Sequence, residues 1–402
     1  MDWRKNLWAL AFGVMISSSS YTMVIPFLPV FLLELGVTSG QVNLWSGVLF
    51  AASFFVSALM APYWGRCADR TGRRRMVMRA GFSLAAVYLL GALVRNPVEL
   101  LMVRILQGFA SGFVPASMAI VASSAPKSEL GSSLGFMQTA LLLGGIMGPL
   151  AGGVLSHLFG LRLSFVVSAV IIFAGTLLVR MLVKEPPEFQ TVCENSIIED
   201  FKLALRNRRL AKALLLLLIV QVATMILQPL LTLYVAELQG NRAGAVLASG
   251  VVYSLSGVAG AIAAPFWGRL GQRQGFLKIL IIGFSGAGLF VIGQFLVTDI
   301  YGFGLLQFMF GLCIVGVYPA INTIAVSASE PEFQGRTFGL TTTANQLGAM
   351  AGPLLGGVVS SWLGIRPVFL LSGGLLVIMG LLVYLDSVQH KFSGQQAEKA
   401  CR

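Results

Sequence analysis

Long apolar runs alternate with short polar segments along almost the whole chain, and this pattern predicts membrane-spanning helices. A run of about 20 apolar residues is long enough to cross a bilayer as one helix. Pro26 and Pro29 in the outer half of the first run are expected to bend its helix. The expected fold class is an all-α integral membrane protein. We predict twelve transmembrane spans, numbered in chain order, at roughly residues 7–33, 43–64, 76–94, 98–122, 133–155, 163–183, 213–236, 245–267, 276–297, 300–325, 335–361 and 368–385.

The composition supports this class, because 56% of the residues are apolar and only 11% are charged. A soluble domain has about 25% charged residues. The net charge of +12 suggests a nucleic-acid partner when taken alone. The charges lie in short segments between apolar runs, however, as membrane topology requires, so we expect no nucleic acid. The four cysteines show no metal-ligand spacing, and we expect free thiols, no metal and no cofactor.

The positive residues predict the orientation of the chain in the membrane. Of the 28 Lys and Arg residues, Arg104 falls within span 4 and only Arg95, Arg162, Arg242 and Arg366 fall in loops on one side. All the others lie on the opposite side, and positive residues concentrate on the cytoplasmic side of a membrane. We therefore expect both termini in the cytoplasm.

A polar segment at residues 184–212 separates two sets of six spans. In this segment Ser196 and Glu199 have the spacing of a helix-capping box. The following apolar residues at helical spacing predict a short amphipathic helix on the inner membrane surface, and a disordered linker is the alternative. The predicted organisation is an N-terminal six-helix bundle (1–183), a cytoplasmic linker (184–212), a C-terminal six-helix bundle (213–385) and a cytoplasmic tail (386–402).

One polar stretch, residues 65–75, differs from an ordinary topology signal. It contains five arginines together with Asp69, and Gly65 and Gly72 allow tight bends of the backbone. Charges this dense cannot lie in hydrocarbon, so the stretch is predicted to be a cytoplasmic loop between spans 2 and 3. The positive charge alone would explain the topology, but it does not require the glycines and the aspartate at these spacings.

The second half of the sequence repeats the first at an offset of 203 or 204 residues. APYWGR at 61–66 recurs as APFWGR at 264–269, and GPLAGGV at 148–154 recurs as GPLLGGV at 352–358. Two parallel six-helix repeats that face each other across a central cavity are typical of secondary transporters.

These motifs resemble those of the major facilitator superfamily over the whole chain, and in particular its twelve-span drug/proton antiporters. The stretch at 65–75 resembles the signature loop, and Arg104, Gln107 and Gly108 resemble the span-4 motif. The Pro26 and Pro29 pair resembles the span-1 motif. Span 5 resembles the motif associated with antiporters, through Gly144, Gly148, Pro149, Gly152 and Gly153.

The resemblance implies an alternating-access transporter of a bacterial inner membrane, acting as a monomer on small molecules with protons as the coupling ion. Asp69 is expected to latch onto the start of span 11 near Gly335, where a helix N-terminus favours a carboxylate. The conformational latch and coupling residues would be Gly65, Asp69, Arg70, Gly72, Arg73, Arg104, Glu34 and Glu237. The span-5 glycines would allow close helix packing, although ordinary membrane packing also explains them.

The second half lacks the charged residues of the first. Gln272 stands where Asp69 stands, and Gln307 or Phe308 stands where Arg104 stands. The C-terminal half is therefore expected to contribute more to the cavity wall. Polar, aromatic or soft side chains within the spans are candidate cavity residues, although each could instead bridge helices: Tyr21, Met23, Gln138, Gln228, Tyr253, Asn345 and Gln346.

The leading functional hypothesis is proton-coupled efflux of drugs or amphipathic compounds. The alternatives are transport of one metabolite, such as a sugar or a siderophore, and a non-transporting membrane sensor. No Walker-type nucleotide motif and no catalytic constellation is present, so we expect neither ATP coupling nor an enzyme. No Asp or Glu falls in the middle of a span, so the proton would be carried by Glu34, Glu237 or a break of the Asp69 latch. Arg104 would tune this step, or would only tie span 4 to carbonyl groups of a neighbouring helix.

Overall fold

The regular structure of the described residues is entirely helical. A computed structural model describes residues 3–126, 129–184, 202–203, 206–240, 244–329 and 334–400, without the side chains of 69, 131, 334–336, 338 and 389–400. In the first half, span 1 comprises Trp3–Val24, the 3₁₀ turn Ile25–Phe27 and Leu28–Glu34, span 2 Val42–Thr71, span 3 Arg73–Leu93, span 4 Pro97–Phe109 and Phe113–Ser124, span 5 Leu130–Phe159 and span 6 Leu161–Leu182. In the second half, span 7 comprises Arg208–Met225 and Leu231–Gln239, span 8 Ala245–Gln274, span 9 Phe276–Leu296, span 10 Ile300–Ile314 and Val317–Ser327, span 11 Gln334–Leu363 and span 12 Arg366–Ala400.

The predicted fold class is confirmed. Ten helical segments of the described chain are long and apolar enough to cross a membrane. The two predicted spans outside this set are span 7, which is divided, and span 11, which is more polar, and both are helical where the structure describes them. The predicted surface helix after Ser196, together with Cys193 and Cys401, lies outside the described residues.

Two features of the helices differ from the prediction. Residues 65–75 do not form an extended loop, because span 2 continues as helix to Thr71 and span 3 begins at Arg73. Gly72 alone separates the two helices, with a φ of 104° that only glycine adopts easily. Spans 4, 7 and 10 were predicted to be continuous, and each is interrupted near its middle. In span 4 the interruption contains Gly112 with a φ of 115°.

The sequence repeat is also a repeat of local structure. The Trp64 indole nitrogen donates to the Phe109 carbonyl at 2.9 Å, and Trp267 donates to Leu312 at 2.7 Å, with both residues displaced by 203. Ser168 donates to the Ser20 carbonyl, and Ser372 donates to the Ala223 carbonyl in the same way. Each half therefore uses the same side chains to tie the same pairs of helices.

The buried apolar residues form separate cores in the two halves. One large cluster draws all its buried members from residues 210–383. Two others occupy the N-terminal half, and among their buried members only Val246 of span 8 comes from the other half. Each half thus has its own hydrophobic core, and the contact between the halves is formed by helix surfaces.

The two halves meet at their outer ends, where outer and inner follow the predicted orientation. A Cβ atom on Gly47 of span 2 would lie 3.2 Å from the Gly357 Cα of span 11. Asn43 also donates to the Ser360 carbonyl at 3.3 Å. On the other flank, a Cβ atom on Gly250 of span 8 would lie 3.4 Å from the Gly153 Cα of span 5.

The inner ends of the same four helices do not touch at the corresponding glycines. Gly65, Gly135, Gly268 and Gly339 have open space for 4 Å around a Cβ position, within the part of the chain that the structure describes. Within the described residues, the halves are therefore in contact at their outer ends and apart at these inner-end positions, which is an inner-open arrangement.

Candidate substrate-translocation site

A fully buried arginine lies in the outer third of the N-terminal half. Arg104 of span 4 has 1% of its surface exposed. Its Nε donates to the Leu49 carbonyl of span 2 at 3.2 Å, and its Nη1 donates to the Gln107 side chain. Gln107 in turn donates to the Tyr88 hydroxyl at 3.1 Å. Spans 2, 3 and 4 therefore hold the guanidinium in one orientation.

The surroundings of Arg104 contain hydroxyl and aromatic groups, and no carboxylate of the described chain contacts it. The phenol groups of Tyr21 and Tyr88 face the guanidinium, and the Phe50 ring lies 5.6 Å from its central carbon. The Nη2 atom is buried without a hydrogen-bond acceptor among the described residues. A buried cation with an unused donor favours a negative group that arrives transiently, such as a carboxylate or a substrate.

A second arginine within the helices was not identified from the sequence. Arg79 lies six residues into span 3, and its Nη2 donates to the Ser111 carbonyl at 2.6 Å. Its Nη1 donates to the Phe109 carbonyl at 3.3 Å, and its guanidinium lies 3.6 Å from the Trp64 ring centroid. Arg79 therefore binds the interruption of span 4. The signal in the sequence is a charge inside an apolar run, but Arg79 lies so close to the basic stretch at 65–75 that it counts among the cytoplasmic charges.

Polar side chains connect this interruption to the other half. Gln346 of span 11 donates to the Ser57 hydroxyl of span 2 at 2.9 Å. Ser57 donates to the Ser111 hydroxyl at 3.0 Å. Gln346 thus lies at the boundary between the halves, as a cavity residue would, and it also bridges helices.

The other candidate cavity residues are dispersed. Tyr253 donates to the Gln228 carbonyl within the C-terminal half, and the side-chain oxygens of Gln228 and Asn345 are buried without a donor among the described residues. Gln138 is exposed on span 5 and lies 3.7 Å from the Met118 sulfur. Met23 is 2% exposed and accepts from Ser168 at 3.3 Å. Met23 therefore packs in the N-terminal core and does not line the opening in this conformation, since its neighbours on span 6 cover it.

The glycines of span 5 lie on two faces. A Cβ atom on Gly144 or Gly148 would overlap the span-1 backbone, and one on Gly152 would overlap Met23 and Phe27. These three residues follow one another at intervals of four and form one helix face. Gly153 and the Pro149 carbonyl lie on the other face, against Gly250 of span 8. Span 5 therefore fits between span 1 of its own half and span 8 of the other half because it lacks side chains at these positions.

The signature stretch contacts the inner ends of neighbouring helices. Arg73 donates to the Ala119 carbonyl of span 4 at 2.9 Å, while Arg70 is exposed and Gly65 faces open space. The Asp69 side chain, and the expected latch to Gly335, lie outside the described part of the structure.

The two candidate proton carriers lie at the outer end and not beside Arg104. Glu34 and Glu237 are both exposed, and Arg162 is the cation that faces Glu34. Glu237 borders an outer cavity of about 530 Å³ between the halves, together with Val30, Asn43 and Ala236. The structure therefore does not bring the carboxylates and the buried arginine together.

Taken together, the arrangement suits binding and conformational change and not covalent chemistry. Two halves with separate cores meet through glycine-lined contacts at their outer ends, and the corresponding inner-end glycines of the described chain are not in contact. A fully buried guanidinium lies between spans 2, 3 and 4 of the first half, beside the phenol groups of Tyr21 and Tyr88.

The chain is similar in sequence to known transport proteins. The sequence profile of the Major Facilitator Superfamily matches residues 10–293 and 244–400. Multidrug resistance protein MdtG of Salmonella arizonae is 35% identical over 395 residues, which cover 97% of each chain. The protein of the same name from Citrobacter koseri is 35% identical over 381 residues, which cover 94% of this chain and 93% of that one.

Solved structures share the fold at lower sequence identity. The nucleoside transporter NupG superposes with a TM-score of 0.79 and 13% identity, over 96% of this chain and 99% of that chain. A bacterial homolog of the human lysosomal transporter Spinster, described as inward-facing and unoccupied, superposes with a TM-score of 0.73 and 15% identity. That alignment covers 96% of this chain and 97% of the other.

Proposed function

Since this chain belongs to the Major Facilitator Superfamily, we propose that it is a proton-coupled exporter of drugs and other amphipathic small molecules. It is a multi-pass membrane transporter and not an enzyme. The observation that carries the substrate class is the 35% identity, over 97% of both chains, to a protein named for multidrug resistance. The amide group of Gln346 and the hydroxyl group of Ser57 at the boundary between the halves offer polar contacts for amphipathic compounds.

We propose that transport proceeds by alternating access across the inner membrane, by a monomer with both termini in the cytoplasm. The inner-open arrangement would take up substrate from the cytoplasm or the inner leaflet. Release outward requires the inner ends of spans 2, 5, 8 and 11 to close while the glycine contacts at the outer ends separate. In the closed inner arrangement, Asp69 would reach the start of span 11 and stabilise the outward-open state.

For the coupling step, we propose that a proton binds at Glu34 or Glu237, or breaks the Asp69 latch. Arg104 cannot give up its own proton at physiological pH. It would act through its charge, by holding a negative substrate group or by lowering the proton affinity of a carboxylate that approaches it in another state.

The test is transport into everted membrane vesicles that contain the overproduced protein. A panel of chemically unrelated dyes and drugs is offered with an imposed pH gradient, and again after a protonophore has collapsed it. Gradient-dependent uptake of several unrelated compounds is the expected result. Uptake of a single compound would indicate a metabolite exporter. Uptake that is equal with and without the pH gradient would refute proton coupling. Vesicles without the protein are the control.

A further inference from the structure

The interruption of span 4 is bound by more donors than its counterpart in span 10. Helix ends leave carbonyl groups without intrahelical partners. At the interruption of span 4, Trp64 donates to the Phe109 carbonyl at 2.9 Å and Arg79 donates to the Phe109 and Ser111 carbonyls. Arg79 also stacks on Trp64 at 3.6 Å. A planar guanidinium can bind two carbonyls and stack on an indole at once, which a lysine cannot do.

The second half makes the same interruption without an arginine. Trp267 donates to the Leu312 carbonyl at 2.7 Å, but Ile282 stands at the position of Arg79 when displaced by 203 residues. Gly260 and Ile314 stand at the positions of Ser57 and Ser111. The interruption therefore forms in span 10 without an arginine and without the two serines. Forming the interruption is thus not a sufficient reason for Arg79, Ser57 and Ser111 in the first half.

The additional groups in the first half form a chain that crosses to the second half. Gln346 donates to Ser57 and Ser57 donates to Ser111, at 2.9 and 3.0 Å. The carbonyl of Ser111 is the one that Arg79 holds at 2.6 Å. Arg104 lies on the helical segment that ends at this interruption.

We propose that Arg79 is a positioning residue of the transport cycle. It fixes the interruption of span 4 so that Ser111 can accept from Ser57, and Ser57 from Gln346. The contact between the halves is thereby coupled to the segment that carries Arg104. These bonds exist in the inner-open state, and they bias the equilibrium between the two states to the extent that the outward-open state lacks them. The inference goes beyond the proposed function and does not depend on the substrate or the coupling ion.

The test measures the conformational equilibrium of the full chain in lipid nanodiscs. In a background with all four cysteines replaced by serine, spin labels are attached at S132C on span 5 and Q272C on span 8, both exposed near the inner ends. Pulsed electron paramagnetic resonance then gives the populations with separated and with closed inner ends. We expect Arg79→Gln to lower the ratio of inner-open to inner-closed protein about threefold to tenfold, the size expected for one lost hydrogen bond. Ser57→Ala should shift the ratio in the same direction.

The double variant separates coupling from ordinary structural damage. If Arg79 acts through Ser57, the effects of Arg79→Gln and Ser57→Ala are not additive, and the double variant resembles the single ones. Trp267→Phe, which removes the corresponding bond in the second half, should leave the populations unchanged. Unchanged populations in Arg79→Gln, or fully additive shifts, would overturn the proposal. If Arg79→Gln does not fold, the same populations are measured for Arg79→Lys, for Ser57→Ala and for the double variant, and the same criteria apply.

Discussion

The Thr232 hydroxyl of span 7 donates a hydrogen bond of 2.7 Å to the Pro26 carbonyl of span 1, across the boundary between the halves. Both residues are buried, and both lie beside an interruption of their helix. Thr232→Val keeps the shape of the side chain and leaves the Pro26 carbonyl without its donor. We expect this variant to destabilise the outer-closed state by about 1–3 kcal/mol, the cost of a buried unsatisfied polar group.

The measurement is the reaction of an added cysteine, A236C, which borders the outer cavity, with an impermeant maleimide applied from outside. The reaction should be several times faster in Thr232→Val than with Thr232 intact. Thr224→Val is the matched control, because the Thr224 hydroxyl bonds to Val220 and Tyr318 within its own half. Equal rates in all three proteins would show that the bond between Thr232 and Pro26 does not contribute to the outer closure.

The glycines of span 5 give a second prediction. Gly152→Leu would force a side chain into the Met23 backbone and the Phe27 ring, so we expect loss of export because spans 1 and 5 can no longer approach. Gly374→Leu on span 12 is the control, because a Cβ atom there meets nothing within 4 Å in the described chain and span 12 is not one of the four closing helices, so it should retain export. Export is compared in everted vesicles at equal protein levels. A Gly152→Leu protein that exports normally would contradict the packing argument.

A third prediction concerns the signature aspartate. Asp69→Asn removes the charge that the proposed latch requires in the outward-open state only, so we expect transport to be abolished while folding and substrate binding persist. Binding is followed by fluorescence of a transported dye, and folding by thermal unfolding in detergent. Asp386→Asn is the control, because its exposed ion pair with Lys212 at 2.6 Å is worth little. Wild-type transport by Asp69→Asn would reduce the stretch to a topology signal.

The sequence was sufficient to predict the fold class and the repeat, because both depend on patterns that the chain displays directly. Twenty-residue apolar runs must form helices in lipid, and a constant offset of motifs implies two similar bundles. The interruptions of spans 4, 7 and 10 were not predicted. Hydropathy does not reveal them, since residues 110–112 and 315–316 carry no charge and are too few to divide a long apolar run.

The site was predicted less completely than the fold, for a related reason. Arg104 stood out because a charge in the middle of an apolar run has few explanations. Arg79 lies closer to the inner end, where the positive-inside rule accounts for it, and its role depends on a carbonyl pair in another helix. Met23 and Gln346 look alike as span residues, but the packing of span 6 covers Met23 while the boundary between the halves contains Gln346. Only three-dimensional neighbours distinguish them.

The topology gives a fourth prediction. Because nearly all positive residues lie on one side, we expect Cys193 and Cys401 to react with an impermeant thiol reagent in everted vesicles and not in intact cells. An added cysteine in the predicted outer turn, R95C, should show the opposite pattern. Labelling of Cys193 or Cys401 from outside would contradict the arrangement with both termini in the cytoplasm.

The last prediction concerns Arg104 and the proton. The guanidinium is buried, and it is held by the Leu49 carbonyl and Gln107 with its Nη2 atom unused. If Arg104 served only to tie span 4 to span 2, Arg104→Gln would still offer a donor to the Leu49 carbonyl, and export would survive at reduced stability. If its charge is required, both Arg104→Gln and Arg104→Ala should abolish export driven by a pH gradient, while the protein remains folded.

The carboxylates are tested by the double variant Glu34→Gln/Glu237→Gln, which should retain dye binding and lose the response to the gradient. Its matched control is Glu99→Gln, because Glu99 is engaged locally with Asn96 and the Arg95 backbone at the start of span 4. Gradient-driven export that persists in both Arg104→Ala and the double carboxylate variant would make these residues structural and would leave the Asp69 latch as the remaining proton-linked step. If the rate of export by the wild-type protein were also the same with and without the pH gradient, the protein would be a facilitator, because no group in the chain would then exchange a proton for substrate.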